Sequence, residues 1–156
     1  MSLRACANSA EDVATGFMMF RSPLPEHATE ITGLMADLYS ISVALKRLDD
    51  MSANRAYRYS LPQIQPDLDM VLSSLAYTLE DVIGYFDMLE RGAASSPKLF
   101  KRTWSDLVSF LWNESQESLS TRLSKYRSLL NELQYEVMEY VQILYQFVWF
   151  ALITNC

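Results

Sequence analysis

Residues 119–147, LSTRLSKYRSLLNELQYEVMEYVQILYQF, carry the most regular hydrophobic pattern in the chain and decide its fold class. Apolar residues recur at alternating intervals of four and three, which places them along one face of an α-helix. No proline or glycine interrupts the stretch. Spacing of this kind is typical of helix bundles and coiled coils. The stripe consists of Leu119, Leu123, Tyr126, Leu130, Leu133, Val137, Tyr140, Leu144 and Phe147.

Two earlier segments show similar spacing. One helix is predicted to begin near Pro25, because proline suits a first helical turn, and to end in the polar run 49–58. A second is predicted to begin at Pro62 or Pro66 and to stop at Gly92. Their stripes consist of Ile31, Leu34, Leu38, Ile41, Leu45 and Leu48, and of Leu68, Leu72, Leu75, Leu79, Val82, Phe86 and Leu89.

A shorter helix is predicted from Pro97 to about Asn113, with Ser96 as its cap, and Ser115 is expected to cap the last helix. The expected fold is therefore all-α: an antiparallel bundle of three long helices and one short helix. The predicted organisation is a flexible lead-in at residues 1–22, a helical bundle domain at 23–139 and an apolar extension of the last helix at 140–156.

Composition and charge exclude several classes of partner. The 156 residues carry a net charge of −6, which argues against nucleic acid because phosphate binding needs a basic surface. The same sign argues against strong electrostatic attraction to anionic lipid. Residues 63–91 are mainly acidic and residues 97–135 more basic. We expect these charges to pair across the bundle, with a basic patch for an acidic partner as the alternative. Glu11 and Asp12 interrupt any secretory signal, which favours a cytoplasmic location.

Residues that could support catalysis or metal binding are sparse. His27 is the only histidine, and we expect it to be a solvated first-turn residue rather than a general base. One histidine and two cysteines near opposite termini, Cys6 and Cys156, cannot supply a zinc site. No phosphate-binding glycine loop or nucleophile motif occurs. We therefore expect no enzyme activity and no metal or other cofactor.

The end of the chain is unusual. Residues 140–156, YVQILYQFVWFALITNC, include no charged side chain and are apolar nearly all round a helix. We favour a core or oligomer-interface helix. The alternatives are a membrane span, since about 17–25 apolar residues can cross a bilayer, or the end of a fragment that packs on further sequence. The expected interaction surface consists of Leu144, Phe147, Trp149 and Phe150.

Three stretches resemble a known group of domains: residues 28–48, residues 64–86 and residues 100–133, where Trp104 precedes SFLWNESQESLSTRLSKYRSLLNEL. They are similar to the helical N-terminal domains of fungal proteins that precede NACHT-type NTPase modules, ankyrin repeats or disordered tails. The resemblance implies a helical bundle for signalling or self-association, in the style of HeLo-like domains of incompatibility and cell-death proteins. Such downstream modules are absent here, and the apolar end after Gln134 departs from the resemblance.

Two functions follow as expectations. The first is a non-enzymatic interaction module that binds a protein partner or a second copy of itself. The alternative is a membrane-active or tail-anchored bundle, in which the segment from Tyr140 inserts into lipid.

Overall fold

The computed structural model describes residues 1–91 and 96–155, and within them the chain is all-α, as predicted. It has five helices where four were predicted: α1 (Leu3–Arg21), α2 (Ala28–Ser52), α3 (Leu61–Arg91), α4 (Pro97–Ser115) and α5 (Leu119–Thr154). A 3-10 turn at Pro25–His27 precedes α2, and another at Arg55–Tyr57 precedes α3. Gly92 and Cys156, both named above, lie outside the described residues.

The prediction of a flexible lead-in at residues 1–22 is wrong, because these residues form α1. Ser2 caps the helix, and its Oγ accepts a hydrogen bond from the Ala5 N–H at 3.1 Å. The buried face of α1 is built largely from small side chains, which let neighbouring helices approach closely but leave no leucine stripe to detect. Its members are Cys6, Ala7, Ala10, Val13, Ala14, Phe17 and Phe20.

Polar contacts show that α1 and α2 are antiparallel. Arg4 at the start of α1 pairs with Asp49 near the end of α2, at 2.9 Å. Further along α1, Glu11 accepts hydrogen bonds from Lys46 and from the Ser42 Oγ, the latter at 2.7 Å. These two bonds, that of Lys46 foremost, lower the pKa of Glu11.

The direction of α5 follows from its contacts with α3 and α2. Tyr126 Oη lies 2.7 Å from Ser74 Oγ, and Arg122, one turn earlier, acts electrostatically on Asp81. Residue numbers therefore fall along α3 as they rise along α5, so these helices are antiparallel. Arg127 pairs with Asp37 of α2 at 2.8 Å. Residue numbers rise together along α1 and α3, since Met1 lies beside Leu72 and Phe17 beside Phe86. Because α2 is antiparallel to α1, it runs in the same direction as α5, and the bundle is not antiparallel throughout.

Four of the six basic residues of 97–135 form ion pairs within the described part of the chain, and the acids in these four pairs lie outside α3. The pairs are Lys101 with Glu26, Arg122 with Glu114, Lys125 with Glu117 and Arg127 with Asp37. The prediction that these charges pair across the bundle is therefore met only by Lys101 and Arg127, since Arg122 and Lys125 pair with acids at the neighbouring α4–α5 turn. The pairs of Lys101 and Lys125, whose side chains are exposed, stabilise by only about 0–1 kcal/mol each.

An aromatic cluster joins α1, α3 and α4 at one end of the bundle. The ring of Phe17 meets Phe86 edge-on at 5.1 Å between centroids and lies 6.1 Å from Trp104. Phe20 meets Phe100 edge-on at 5.2 Å. Edge-to-face pairs add about 0.5–1.5 kcal/mol beyond the burial of their area, so this cluster holds three helices that are distant in sequence.

A tight turn joins α4 to α5. Gln116 adopts left-handed backbone geometry (φ 58°) and its N–H donates to the Trp112 carbonyl at 2.7 Å, which ends α4. Ser118, rather than the predicted Ser115, caps α5 by accepting a hydrogen bond from the Thr121 N–H at 3.2 Å. The Ser115 hydroxyl instead donates to the Leu111 carbonyl of its own helix.

Glycine substitutions test the packing of α1. A Cβ on Gly16 would lie 2.4 Å from the buried ring of Phe86, whereas a Cβ on Gly33 of α2 meets nothing within 4 Å. We expect Gly16→Ala to lower the free energy of unfolding by about 1–2 kcal/mol, because overpacking outweighs the gain in helix propensity. Gly33→Ala should raise it by up to about 1 kcal/mol. Urea unfolding followed by circular dichroism measures both; equal stabilisation by the two variants would contradict the packing of α1.

Candidate functional site

The candidate site is the C-terminal end of α5, which extends beyond the bundle. The buried residues of α5 end at Val137, and past it only Val141 is even half-buried. We call residues 140–155 the apolar tail. At about 1.5 Å per residue it extends about 24 Å from the body of the protein.

The four residues predicted as an interaction surface all lie in the apolar tail and are exposed. Phe147 is 75% exposed, Trp149 and Phe150 are each 68% exposed, and Leu144 is 39% exposed. They do not share one face: Phe147 and Trp149 are two positions apart and therefore lie on nearly opposite sides of the helix. The helix presents apolar side chains in every direction.

These exposures correct the interpretation of the apolar tail as a core helix. The stripe from Leu119 to Phe147 is continuous in sequence, but its buried part ends at Val137 because no other helix of the described residues extends alongside the remainder. The core interpretation is therefore wrong for this chain. Association with another molecule, packing on further sequence of a longer protein and insertion into lipid remain.

Polarity within the apolar tail is low. The last charged residue is Glu139. The Thr154 hydroxyl donates to the Phe150 carbonyl one turn earlier at 2.9 Å, so it is satisfied within the helix. Gln142 and Gln146 are the strongly polar residues of the inner half. Four positions apart, they lie on one side of the helix.

Among the described helices, α5 alone is long and apolar enough to cross a membrane. Its most apolar 18-residue window has a mean hydropathy of 1.3, and only 6% of that window is buried in the protein. A core helix of a soluble protein can reach a similar hydropathy, but such a helix is mostly buried. The low burial separates α5 from that class.

A cleft of about 300 Å³ between α1, α2, α4 and the start of α5 is a second candidate. It is mainly apolar and includes Phe17, Leu34, Trp104 and Trp112 in its lining, with Glu30 as its carboxylate. His27 stacks near Trp104 with ring centroids 5.3 Å apart and lies 3.5 Å from Glu30, but it is not among the residues that line the cleft. The cleft therefore lacks a paired acid and base at its wall.

The thiol of Cys6 and the possible metal-binding side chains of the described residues give no second reactive site. Cys6 is buried, and loss of solvation raises the pKa of its thiol to about 11, which suppresses the nucleophilic thiolate. Within residues 1–91 and 96–155, no group of three or more histidine, cysteine or acidic residues could hold a metal ion. The apolar tail is thus the feature that the packing of the bundle leaves unexplained.

One cluster of charges joins α3 to the α4–α5 turn. Arg122 is buried and donates to the Leu111 carbonyl at 2.6 Å, with Glu114 at 3.8 Å. Partial burial, and then the neighbouring carboxylate of Glu114, raise the pKa of Asp81. This is the environment of a structural junction, because the terminal nitrogens of Arg122 contact Leu111 and Glu114 of the same chain, although its buried Nε has no hydrogen-bond partner.

Comparison with known proteins gives no match: no protein-family model matches the chain, and neither a curated protein nor a solved structure is significantly similar to it. The resemblance to fungal N-terminal helical domains therefore stays a hypothesis.

Asp81 gives a pH prediction. Because its pKa is raised in the folded state, the folded protein is favoured at low pH and loses that advantage as pH rises through the raised value. Asp81→Asn should therefore increase the free energy of unfolding at pH 7 and reduce its pH dependence on the acidic side. Chemical unfolding at several pH values measures this, with Asp87→Asn on the exposed side of α3 as the matched control.

Charged substitutions test whether the apolar tail contributes to the folded core. Leu144→Glu with Phe147→Glu should leave the melting temperature of the bundle nearly unchanged, because both side chains are exposed. Leu133→Glu with Val137→Glu, four positions apart on the same helix, should destabilise by more than about 4 kcal/mol because both are buried. A circular dichroism melt compares the two; unfolding by the first pair would restore the core interpretation.

Proposed function

We propose that this chain is a non-enzymatic helical module and that its apolar tail anchors it to a lipid bilayer. One observation carries the proposal: residues 140–155 are uncharged, apolar on all sides and, apart from Val141, exposed. Exposure of such a helix to water is unfavourable, because each Å² of apolar surface that is removed from water stabilises the system by about 25 cal/mol.

The distribution of apolar side chains favours lipid over a single protein surface. A protein partner that docks along one face of a helix leaves the opposite face in water. Phe147 and Trp149 lie on opposite faces, and Phe150 and Leu152 fill directions between them. Lipid surrounds a helix completely and therefore covers all of them.

The length of the apolar tail sets how it would lie in the membrane. A typical hydrocarbon core is about 30 Å thick, whereas residues 140–155 reach about 24 Å. A helix of this length spans only with local thinning of the bilayer, at a cost of fractions of a kcal/mol per Å of mismatch. Tyr140 and Tyr145 lie near the bundle side of the tail, where amphipathic aromatic rings favour the headgroup level.

One further observation supports the non-enzymatic part of the proposal. The cleft and the isolated His27 lack the acid–base arrangement that an enzyme would need.

A second function, self-association of an interaction module, is favoured by a different observation. Tyr140, Leu144 and Phe147 continue, at intervals of four and three, the stripe that is buried further up α5. Two copies paired along this stripe would form a short coiled coil. This arrangement covers one face of each apolar tail and leaves Trp149 in water.

Liposome flotation with light scattering distinguishes the two functions. We compare the full chain with a chain that ends at Glu139, which retains the buried Val137 and hence the core. The full chain should float with phosphatidylcholine vesicles and the shortened chain should stay in the dense fraction. Both should give the same circular dichroism melt.

The opposite result has a clear meaning. If neither chain floats and only the full chain forms dimers or larger oligomers, the apolar tail is a protein interface and the membrane proposal is wrong. Flotation of both chains would place the lipid-binding element elsewhere in the bundle.

A further inference from the structure

The α2–α3 turn, residues 53–60, lies beside the base of the apolar tail. The 3-10 segment Arg55–Tyr57 contacts α5. Tyr126 of α5 is level with Ser74 and Thr78 of α3, and the two helices are antiparallel. Residues 137–141 of α5 lie 11 to 15 residues after Tyr126, and the first residues of α3 lie a similar distance before Ser74 and Thr78. Because the two helices are antiparallel, these residues of α5 are level with the start of α3, next to the turn.

The turn is fixed in position and carries two exposed arginines. Tyr57 is half-buried and packs on the hydrophobic core, which anchors the segment. Asn54 accepts a hydrogen bond from the Ala56 N–H at 3.0 Å and closes the turn. Arg55 and Arg58 point away from the core, and within the described part of the chain neither has an ion-pair partner.

The surroundings of the arginines combine apolar, polar and aromatic groups. A shallow depression beside the arginines has a mainly apolar lining that includes Leu61 and Pro62, with Asn54 and Gln65 as polar members that can donate hydrogen bonds. The ring of Tyr59, 72% exposed, lies 6.0 Å from the Arg58 guanidinium. Arginine and tyrosine together are the residue types that proteins place at the level of lipid headgroups.

The sequence near the apolar tail lacks such a basic anchor. The last lysine or arginine before it is Arg127, about 20 Å along the helix from Tyr140. Membrane spans usually have basic residues close to one end. Here the fold brings Arg55 and Arg58 to that position from more than 80 residues away in the chain.

We propose that Arg55 and Arg58 bind lipid headgroup phosphates when the apolar tail is inserted, so that the α2–α3 turn is a second membrane contact. The inference rests on the proposed function. Guanidinium groups suit phosphate because they donate paired hydrogen bonds to its oxygens. Glu136 and Glu139 also lie at the base of the tail and offset the arginine charge, so the attraction acts at contact distance rather than through a long-range field.

The test is flotation of the full chain with vesicles of phosphatidylcholine and phosphatidylserine. Arg55→Glu with Arg58→Glu should lower the partition coefficient by at least about tenfold, because each basic residue near an anionic surface contributes roughly fivefold. The matched control is Arg21→Glu with Arg102→Glu. These two arginines are exposed, have no ion pair among the described residues and lie at the other end of the bundle, so the variant has the same net charge.

Each outcome decides the inference. Weaker flotation of the turn variant, with the control close to the unmodified chain and unchanged circular dichroism in both, supports it. Equal flotation of the turn variant and the unmodified chain overturns the role of the turn and leaves the apolar tail as the anchor. Equal losses in turn variant and control also overturn it, because net charge would then explain the result. If even the unmodified chain fails to float, the proposed function fails with it.

Discussion

The close packing of α1 against α2 and α3 is the contact on which the rest of the structure depends. Small side chains along α1 bring the helices together, and Gly16 lets the Phe86 ring lie directly on the α1 backbone. With α1 in this place the hydrophobic core is complete once α5 has contributed its side chains as far as Val137. Within residues 1–91 and 96–155, no other helix covers the remaining turns of α5.

The helices that the sequence predicted well are those with large aliphatic side chains. The stripes of α2 and α3 contain leucine, isoleucine and valine at regular intervals, and nearly all of these residues are buried as expected. The helix α1 was missed because four of its seven buried residues are alanine or cysteine, which give little periodic hydrophobic signal. The small side chains that let α1 pack closely therefore also leave it without a recognisable hydrophobic stripe in the sequence.

The candidate site was only partly predictable. Absence of charge after Glu139 can be seen in the sequence, and so can the residues Leu144, Phe147, Trp149 and Phe150. Whether they are covered depends on how far the neighbouring helices extend, which is a property of the assembled bundle. The same stripe is buried at Leu133 and exposed at Leu144 although its spacing does not change.

The α2–α3 turn shows a second limit of sequence reasoning. Arg55 and Arg58 lie in the polar run 49–58, which in the sequence resembles an ordinary connection between two helices. Their position beside the apolar tail arises from the direction of α5 relative to α3, which no local pattern specifies. Direction was also the part of the predicted bundle that needed correction, because α5 runs the same way as α2.

The uninterrupted backbone of α5 has a mechanical consequence. From Leu119 to Asn155 there is no glycine or proline, so the buried turns and the exposed turns form one stiff rod without a swivel. A bilayer or protein that binds the end of α5 therefore also sets the tilt and the rotation of the whole bundle. A flexible linker would let the bundle rotate independently of the tail. In this chain, a rotation of the helix at Trp149 is transmitted along α5 to the Arg127–Asp37 ion pair.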